Sequence, residues 1–135
     1  MVDFDKVGLL TLRGDRMLLC RKSRDTSLLI LPGGCLEDGE SAVQCLQREI
    51  AEELGEVELR DPRYIGTYRD AAAGHAAKIV QVRLYAGELD GEPSPQAEIA
   101  ALVWFGPSDD RDQLSPSLKN KILPDLIARR ILDWP

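Results

Sequence analysis

The sequence predicts a mixed α/β fold, in which a mixed, largely antiparallel sheet is sandwiched by helices. Strand-like and helix-like segments follow one another in the order strands, helix, strands, helix. The 135 residues are 44% hydrophobic, which is close to the average for globular proteins and enough for one core. We find no internal repeat, low-complexity tract or interdomain linker, so we expect a single domain over residues 1–135.

Short apolar segments predict the strands of the first half. Residues 4–12 and 17–20 are strand candidates, and residues 13–16 between them are expected to form a hairpin turn. Residues 28–31 form a third apolar run, which ends at the Pro-Gly-Gly turn of residues 32–34.

The clearest helix is predicted for residues 41–54. Ser41 and Gln44, three residues later, are typical of a capping box, and Gly55 provides the stop. Further strands are expected at residues 64–68, 79–85 and 102–105, with a loop at residues 89–96. A C-terminal helical region opens at Ser115-Pro116, and Pro124 is expected to break or kink it.

The formal net charge of −6 argues against non-specific binding to long nucleic acids or to membrane surfaces, because both are polyanions. No apolar run is long enough for a membrane span, and the first residues lack the features of a secretory signal. The three cysteines follow no CxxC spacing, and there is only one histidine. We therefore expect reduced thiols, no zinc site and a cytoplasmic location.

Three carboxylates cluster on the predicted helix. Its core-facing stripe is expected to consist of Val43, Leu46, Ile50 and Leu54. Glu49 and Glu53 lie on one border of this stripe, Glu52 lies just beyond, and Arg48 is the only basic residue of the helix. An acidic face that aids solubility is the alternative interpretation. Because clustered, half-buried carboxylates need a compensating cation, we favour a site for Mg²⁺ or Mn²⁺, with Ca²⁺ next.

Such a site would suit phosphate chemistry. Divalent ions can neutralise a diphosphate, polarise phosphorus and lower the pKa of an attacking water molecule. Glycines in the Pro-Gly-Gly turn allow the main chain to approach a metal or a phosphate closely, although a simple strand-ending turn explains them equally well.

The sequence from Gly34 to Glu56, GCLEDGESAVQCLQREIAEELGE, resembles the Nudix box, the signature of the Nudix hydrolase family. Five residues separate Gly34 from Glu40, and seven separate Glu40 from the Arg-Glu-Ile triplet that starts at Arg48. After one further residue, the chain continues with Glu52, Glu53, Leu54 and Gly55. The sequence differs from the family pattern at Glu56, where the family usually has an aliphatic residue. This difference concerns local packing more than catalysis.

The resemblance implies a Nudix-like α/β/α sandwich and a reaction. The family hydrolyses a nucleoside diphosphate linked to another moiety, with water attacking phosphorus and Mg²⁺ or Mn²⁺ as cofactor. By resemblance, Glu49, Glu52 and Glu53 would be metal ligands and catalytic residues, and the Gly33 carbonyl a further ligand. Arg48 would orient a glutamate of the cluster through a charge-assisted hydrogen bond.

Outside the box, five residues are weaker candidates. Glu98 lies where many relatives place an extra metal ligand or general base, but a solvated loop carboxylate explains it equally well. His75 could contact substrate or act as a base, although a loop histidine is more often simply exposed. Arg21, Lys22 and Arg24 could meet substrate phosphates, and a solvated loop explains them almost as well.

The substrate remains open at this point. No extended motif associated with NADH, coenzyme A, ADP-ribose or diadenosine polyphosphates is present, so a small nucleotide is the default partner. The alternative from another class is a catalytically silent nucleotide-sensing or scaffold domain, but all the box glutamates are kept. A third hypothesis is an RNA 5′-end pyrophosphohydrolase, but the negative net charge argues against it. The resemblance also implies a homodimer as an option.

Overall fold

The computed structural model describes residues 1–75 and 77–135, and its elements follow the predicted order. The strands are β1 (Phe4–Leu10), β2 (Leu12–Arg13), β3 (Arg16–Lys22), β4 (Gly33–Cys35), β5 (Glu58–Ala71), β6 (Ile79–Asp90) and β7 (Ile99–Phe105). The helices are α1 (Ala42–Leu54) and α2 (Leu123–Ala128), with a 3₁₀ turn at Arg111–Gln113 and a π-helical turn at Leu118–Ile122.

The strands divide between two sheets. The first has the order β4-β1-β6-β5, with β1 and β6 parallel and the other pairs antiparallel. The second has the order β2-β3-β7 and is antiparallel. The predicted α/β sandwich with a mixed sheet is therefore confirmed, but its strands form two sheets instead of one.

The predicted hairpin is confirmed at its turn and differs in its first strand. Arg13 pairs with Arg16 and Leu12 with Met17 across the turn. However, the predicted strand 4–12 is interrupted at Thr11, whose carbonyl accepts a hydrogen bond from the Leu18 amide at 3.1 Å. Of the two strands in this segment, β2 pairs with β3, whereas β1 pairs with β4 and β6. The chain thus changes sheets within one apolar segment.

The strand β4 corrects the prediction that residues 32–34 are only a turn. Gly33–Cys35 runs antiparallel to β1, with Gly8 opposite Gly33. Gly33 has φ +141°, and a Cβ atom there would lie 2.0 Å from the Val7 carbonyl oxygen. Glycine is required here because only a residue without a side chain can approach β1 so closely.

Helix α1 is confirmed, including its capping box. Ser41 Oγ accepts from the Gln44 amide at 3.1 Å, and the Gln44 side chain accepts from the Ser41 amide at 2.9 Å. The buried side of the helix is shifted from the predicted stripe, since Cys45 and Glu53 are buried and Val43 is only half-buried. Glu53 therefore lies inside the border on which the sequence placed it.

Two hydrophobic clusters hold the layers together. On β3, Leu18 and Cys20 pack with α1, whereas Met17 and Leu19 pack on the opposite side with the C-terminal helical region. This alternation is the expected geometry of a strand that is buried on both faces. Strands β5 and β6 are both longer than predicted. Among the described residues, no helix has the length and apolar character needed to cross a membrane.

Candidate active site

The site forms where α1 lies against the glycines of β4. Glu53 is 6% exposed, and its Oε1 accepts a hydrogen bond from the Gly33 amide at 2.8 Å. Glu49, one turn earlier, occupies the space beside Gly34, because a Cβ atom on Gly34 would lie 2.3 Å from the Glu49 Cδ. Gly33 thus binds one carboxylate through its amide, and Gly34 leaves room for the other.

Arg48 ties the box loop to the helix. Its Nε and Nη2 donate to the two carboxylate oxygens of Glu40 at 2.6 and 2.9 Å, which is a bidentate ion pair. Its Nη1 donates to Glu49 Oε1 at 2.9 Å, and its Nη2 donates to the Cys35 carbonyl at 3.2 Å. The orienting contact that the resemblance implies for Arg48 is thus present in the structure, and Glu49 is the glutamate it holds.

The carboxylates differ in their electrostatics. Burial, with smaller contributions from the charges of Glu49 and Glu98, raises the pKa of Glu53 to about 7, even though the Gly33 hydrogen bond opposes this shift. Burial likewise raises the pKa of Glu49, although Arg48 opposes the shift. The hydrogen bonds from Arg48 instead lower the pKa of Glu40 to about 2. Glu49 and Glu53 are therefore the carboxylates that a nearby cation would stabilise most.

The donor set fits a hard divalent cation. In the part of the chain that the structure describes, no three His, Cys, Asp or Glu side chains are arranged to hold a metal ion. Arg48 engages Glu49, and Glu52 is exposed with its Oε1 3.6 Å from Arg48 Nη1. Even so, two desolvated carboxylates that repel each other offer only oxygen ligands, as Mg²⁺ and Mn²⁺ prefer.

Glu98 is brought towards the cluster by the loop before β7. The Gln96 amide donates to the Glu53 carbonyl at 2.9 Å, and the Ser23 amide donates to the Glu98 carbonyl at 2.9 Å. The Glu98 side chain is exposed, yet its charge contributes to the raised pKa of both Glu49 and Glu53. The sequence could not place it, because these contacts join residues distant in the chain.

The other candidates lie in different places. Lys22 and His75 line a cleft beside Gly33 and Gly34. Arg21 Nη1 donates to the Ser27 carbonyl, which holds its guanidinium on its own loop. Arg24 is exposed and is not part of the cleft lining. Of the three basic residues, only Lys22 therefore borders the cleft.

The cleft itself was not foreseen from the sequence. It encloses about 740 Å³ of empty space, including its open mouth. Apolar walls come from Phe4, Leu31, Val80 and Val82, and Lys6 is among the polar lining residues. A concave site that combines apolar walls with polar side chains is typical of a small-molecule site. The available signal was the alternation of residues along β1, which places Phe4 and Lys6 on one face.

Comparisons with known proteins identify the family of the chain. A model of the NUDIX domain matches residues 4–126. NAD-capped RNA hydrolase NudC from Pseudomonas aeruginosa (strain LESB58) is 36% identical over 132 residues, which cover 93% of this chain and 41% of that protein. The chain thus spans about two fifths of the length of the curated relatives it matches first.

Solved structures share the fold. A MutT NUDIX hydrolase from Burkholderia pseudomallei has a TM-score of 0.73 at 25% identity, over 84% of this chain and 90% of that one. A NUDIX hydrolase from Nitrosomonas europaea has a TM-score of 0.76 at 22% identity, over 98% and 92%. The chain belongs to the Nudix hydrolase family, as the box at residues 34–56 predicted.

Proposed function

We propose that this protein is a metal-dependent pyrophosphohydrolase that cleaves the diphosphate of a nucleoside diphosphate linked to another group. The observation that carries the proposal is the pair Glu49 and Glu53, two desolvated carboxylates held against Gly33 and Gly34 at the edge of a cleft. Membership of the Nudix family supports it.

The residues of the site have different proposed roles. Glu49, Glu52 and Glu53 would hold Mg²⁺ or Mn²⁺, with the Gly33 carbonyl as a further ligand. When bound, such an ion neutralises diphosphate charge and makes phosphorus more electrophilic. Arg48 keeps the Glu49 carboxylate in place. Lys22 would bind a phosphate oxygen from the cleft side.

A base must take the proton from the attacking water molecule. Glu98 is our candidate for this role, because it is solvent-exposed while its loop is anchored to the end of α1. Replacing Glu98 by Gln should lower kcat by about 10²-fold or more with little change in metal affinity, since general-base catalysis contributes on that scale. A loss of metal affinity in Glu98→Gln would instead make Glu98 a ligand.

The function is tested with a substrate panel. The protein is incubated with nucleoside triphosphates, nucleotide sugars and dinucleotides in Mg²⁺, in Mn²⁺ and in EDTA, and the products are identified. We expect turnover only with metal. Glu53→Gln should lower kcat by at least about 10²-fold, because it removes one of the proposed metal ligands. Glu58→Gln, which alters an exposed glutamate at the start of β5, is the matched control and should be fully active. Binding without turnover on every compound would favour the sensing alternative.

An NAD-type substrate is a second, narrower candidate. The relatives named NAD-capped RNA hydrolase favour it, although the chain spans only 41% of the first of them. The net charge of −6 argued against a long nucleic acid. The panel therefore includes NADH, NAD⁺ and NAD-capped RNA. Cleavage of the dinucleotides with poor cleavage of the capped RNA is the result that the charge predicts.

A further inference from the structure

Cys45 lies on α1 one turn before Glu49, and its thiol makes polar contacts in addition to packing. The residue is 0% exposed and belongs to the hydrophobic cluster that packs α1 against β1 and β3. Its Sγ lies 3.4 Å from the carbonyl oxygen of Cys35 and 3.7 Å from that of Gly34. Both carbonyls belong to β4, so the thiol links α1 to the strand against which the carboxylates lie.

The same sulfur also contacts Arg48. The Arg48 Nη2 lies 3.8 Å from Cys45 Sγ, within reach of a hydrogen bond to sulfur, and it donates to the Cys35 carbonyl at 3.2 Å. The other terminal nitrogen, Nη1, donates to Glu49 Oε1 at 2.9 Å. The thiol, the Cys35 carbonyl and the guanidinium therefore contact one another, and this group of contacts is joined to Glu49 through Arg48.

The thiol is in the protonated form that these contacts require. Burial, followed by the charge of Glu40, raises the pKa of Cys45 to about 11. A protonated thiol can donate to a carbonyl oxygen while its sulfur accepts from a guanidinium. An apolar side chain at this position would fill the space but would leave both groups without this partner.

We propose that Cys45 is a positioning residue of the carboxylate site: its thiol holds the Arg48 guanidinium against β4, and Arg48 in turn fixes the Glu49 carboxylate for the metal. The inference rests on the metal site of the proposed function and adds a residue that acts without touching metal or substrate. Groups that hydrogen-bond to a metal ligand typically change metal affinity or activity by roughly 10- to 100-fold when they are removed. Because Cys45 acts through Arg48, we expect an effect at the lower end of this range.

The test is a double-mutant cycle of Cys45→Ala and Arg48→Gln. Mn²⁺ affinity is measured by electron paramagnetic resonance, and kcat and KM are measured at saturating Mn²⁺ on the panel compound that is cleaved fastest. Cys45→Ala should weaken Mn²⁺ binding and lower kcat, each by about tenfold, and should change KM less than about twofold. In the Arg48→Gln background, Cys45→Ala should change each quantity less than about twofold, because the residue through which Cys45 acts is missing.

Three further variants separate positioning from packing. Cys45→Ser keeps a donor and an acceptor and should stay within about threefold of the wild type in Mn²⁺ affinity and kcat. Cys45→Val fills the space without a polar group and should behave like Cys45→Ala. The control is Leu46→Val, which removes one methylene group from the same cluster and should reduce the melting temperature without changing kcat.

Three results would overturn the inference: wild-type values in Cys45→Ala, an equal loss in the wild-type and Arg48→Gln backgrounds, or rescue by valine instead of serine. Weaker Mn²⁺ binding in Cys45→Ala, without hydrolysis of any diphosphate by the wild type, would leave this inference standing and contradict the proposed function. Hydrolysis by the wild type and by Cys45→Ala at the same rate, with equal Mn²⁺ affinity, would do the opposite.

Discussion

The environment of Glu53 favours its protonated form, whereas the metal binding that we propose needs its charged form. Its carboxylate is buried and lies close to the charges of Glu49 and Glu98, and these features raise its pKa to about 7 from an ordinary value of 4.5. The folded protein therefore binds this proton more tightly than the unfolded chain does. The stability that protonated Glu53 contributes is fully present below about pH 4.5 and is lost as the pH rises through about 7. The same carboxylate is one of the three that our proposal assigns to the metal.

Glu53→Gln should therefore flatten the pH dependence of stability. In EDTA, the wild type should lose up to about 3 kcal/mol relative to the variant between pH 4.5 and pH 8, since each tenfold change in acidity corresponds to about 1.4 kcal/mol. The glutamine oxygen can still accept the Gly33 hydrogen bond. Urea unfolding across this pH range measures the effect, with exposed Glu52→Gln as the control. Parallel curves for wild type and Glu53→Gln would contradict the prediction.

Gly34 offers a second test at the scale of one residue. A methyl group there would collide with the Glu49 carboxylate, which is the mobile end of a side chain and can move away. Gly34→Ala should therefore cost less than about 1 kcal/mol of stability. Because it displaces Glu49, it should reduce kcat/KM by about 10²-fold.

Gly39→Ala is the matched control for Gly34→Ala. Gly39 has open space around its Cα but a φ of +82°, so alanine is strained there. This variant should lose about 1 kcal/mol of stability and keep its activity. Thermal melts and steady-state kinetics on both variants separate the two outcomes, and full activity in Gly34→Ala would show that Glu49 is not held by this contact.

Helix α1 depends on its first turn for its stability. The reciprocal hydrogen bonds of Ser41 and Gln44 satisfy two backbone amides that the helix leaves unpaired. The chemistry, however, lies on the second half of the helix, at residues 48–53. The start of α1 thus supports the site without contacting it.

Ser41→Ala should lower the free energy of unfolding by about 1 kcal/mol, the usual value of an N-cap side chain. The kcat of the folded enzyme should not change. Gln47→Ala, at an exposed position of the same helix, should leave the stability within about 0.5 kcal/mol. A large fall in kcat for Ser41→Ala at temperatures far below its melting point would mean that helix entry also positions the carboxylates.

At the scale of the whole molecule, the C-terminus closes the core on the side opposite α1. Trp134 is 6% exposed, lies 6.1 Å from the ring of Phe105, and donates its Nε1–H to the Asp15 carbonyl at 2.7 Å. It thereby links the last residues to the turn between β2 and β3. Trp104, by contrast, is half-buried under Arg13 at 4.3 Å.

Trp134→Ala should therefore destabilise the protein by about 3 kcal/mol or more, because it leaves a cavity and removes a hydrogen bond. Trp104→Ala should cost less, since its environment can relax into solvent. Chemical denaturation measures both variants. Mg²⁺ titration of Trp134→Ala should show unchanged affinity, because Trp134 belongs to the cluster on the side opposite α1. Equal losses for the two tryptophans would show that burial does not decide this difference.

Local patterns in the sequence determined the parts of this protein that depend on neighbours in the chain. Residues three or four apart on a helix are neighbours in space, so spacing alone predicted α1, its cap and the grouping of Glu49, Glu52 and Glu53. The same spacing identified the family. The turn at residues 13–16 was also predictable, because it is built from adjacent residues.

Only the tertiary structure decided the features that join distant segments. The pairing of β4 with β1 converted a predicted turn into a strand and placed Gly33 against Glu53, 20 positions away. The division into two sheets, the approach of Glu98 and the cleft with Lys6 arise in the same way. Strand pairing and packing depend on which distant surfaces bury one another. A local pattern of residues does not specify which surfaces these are.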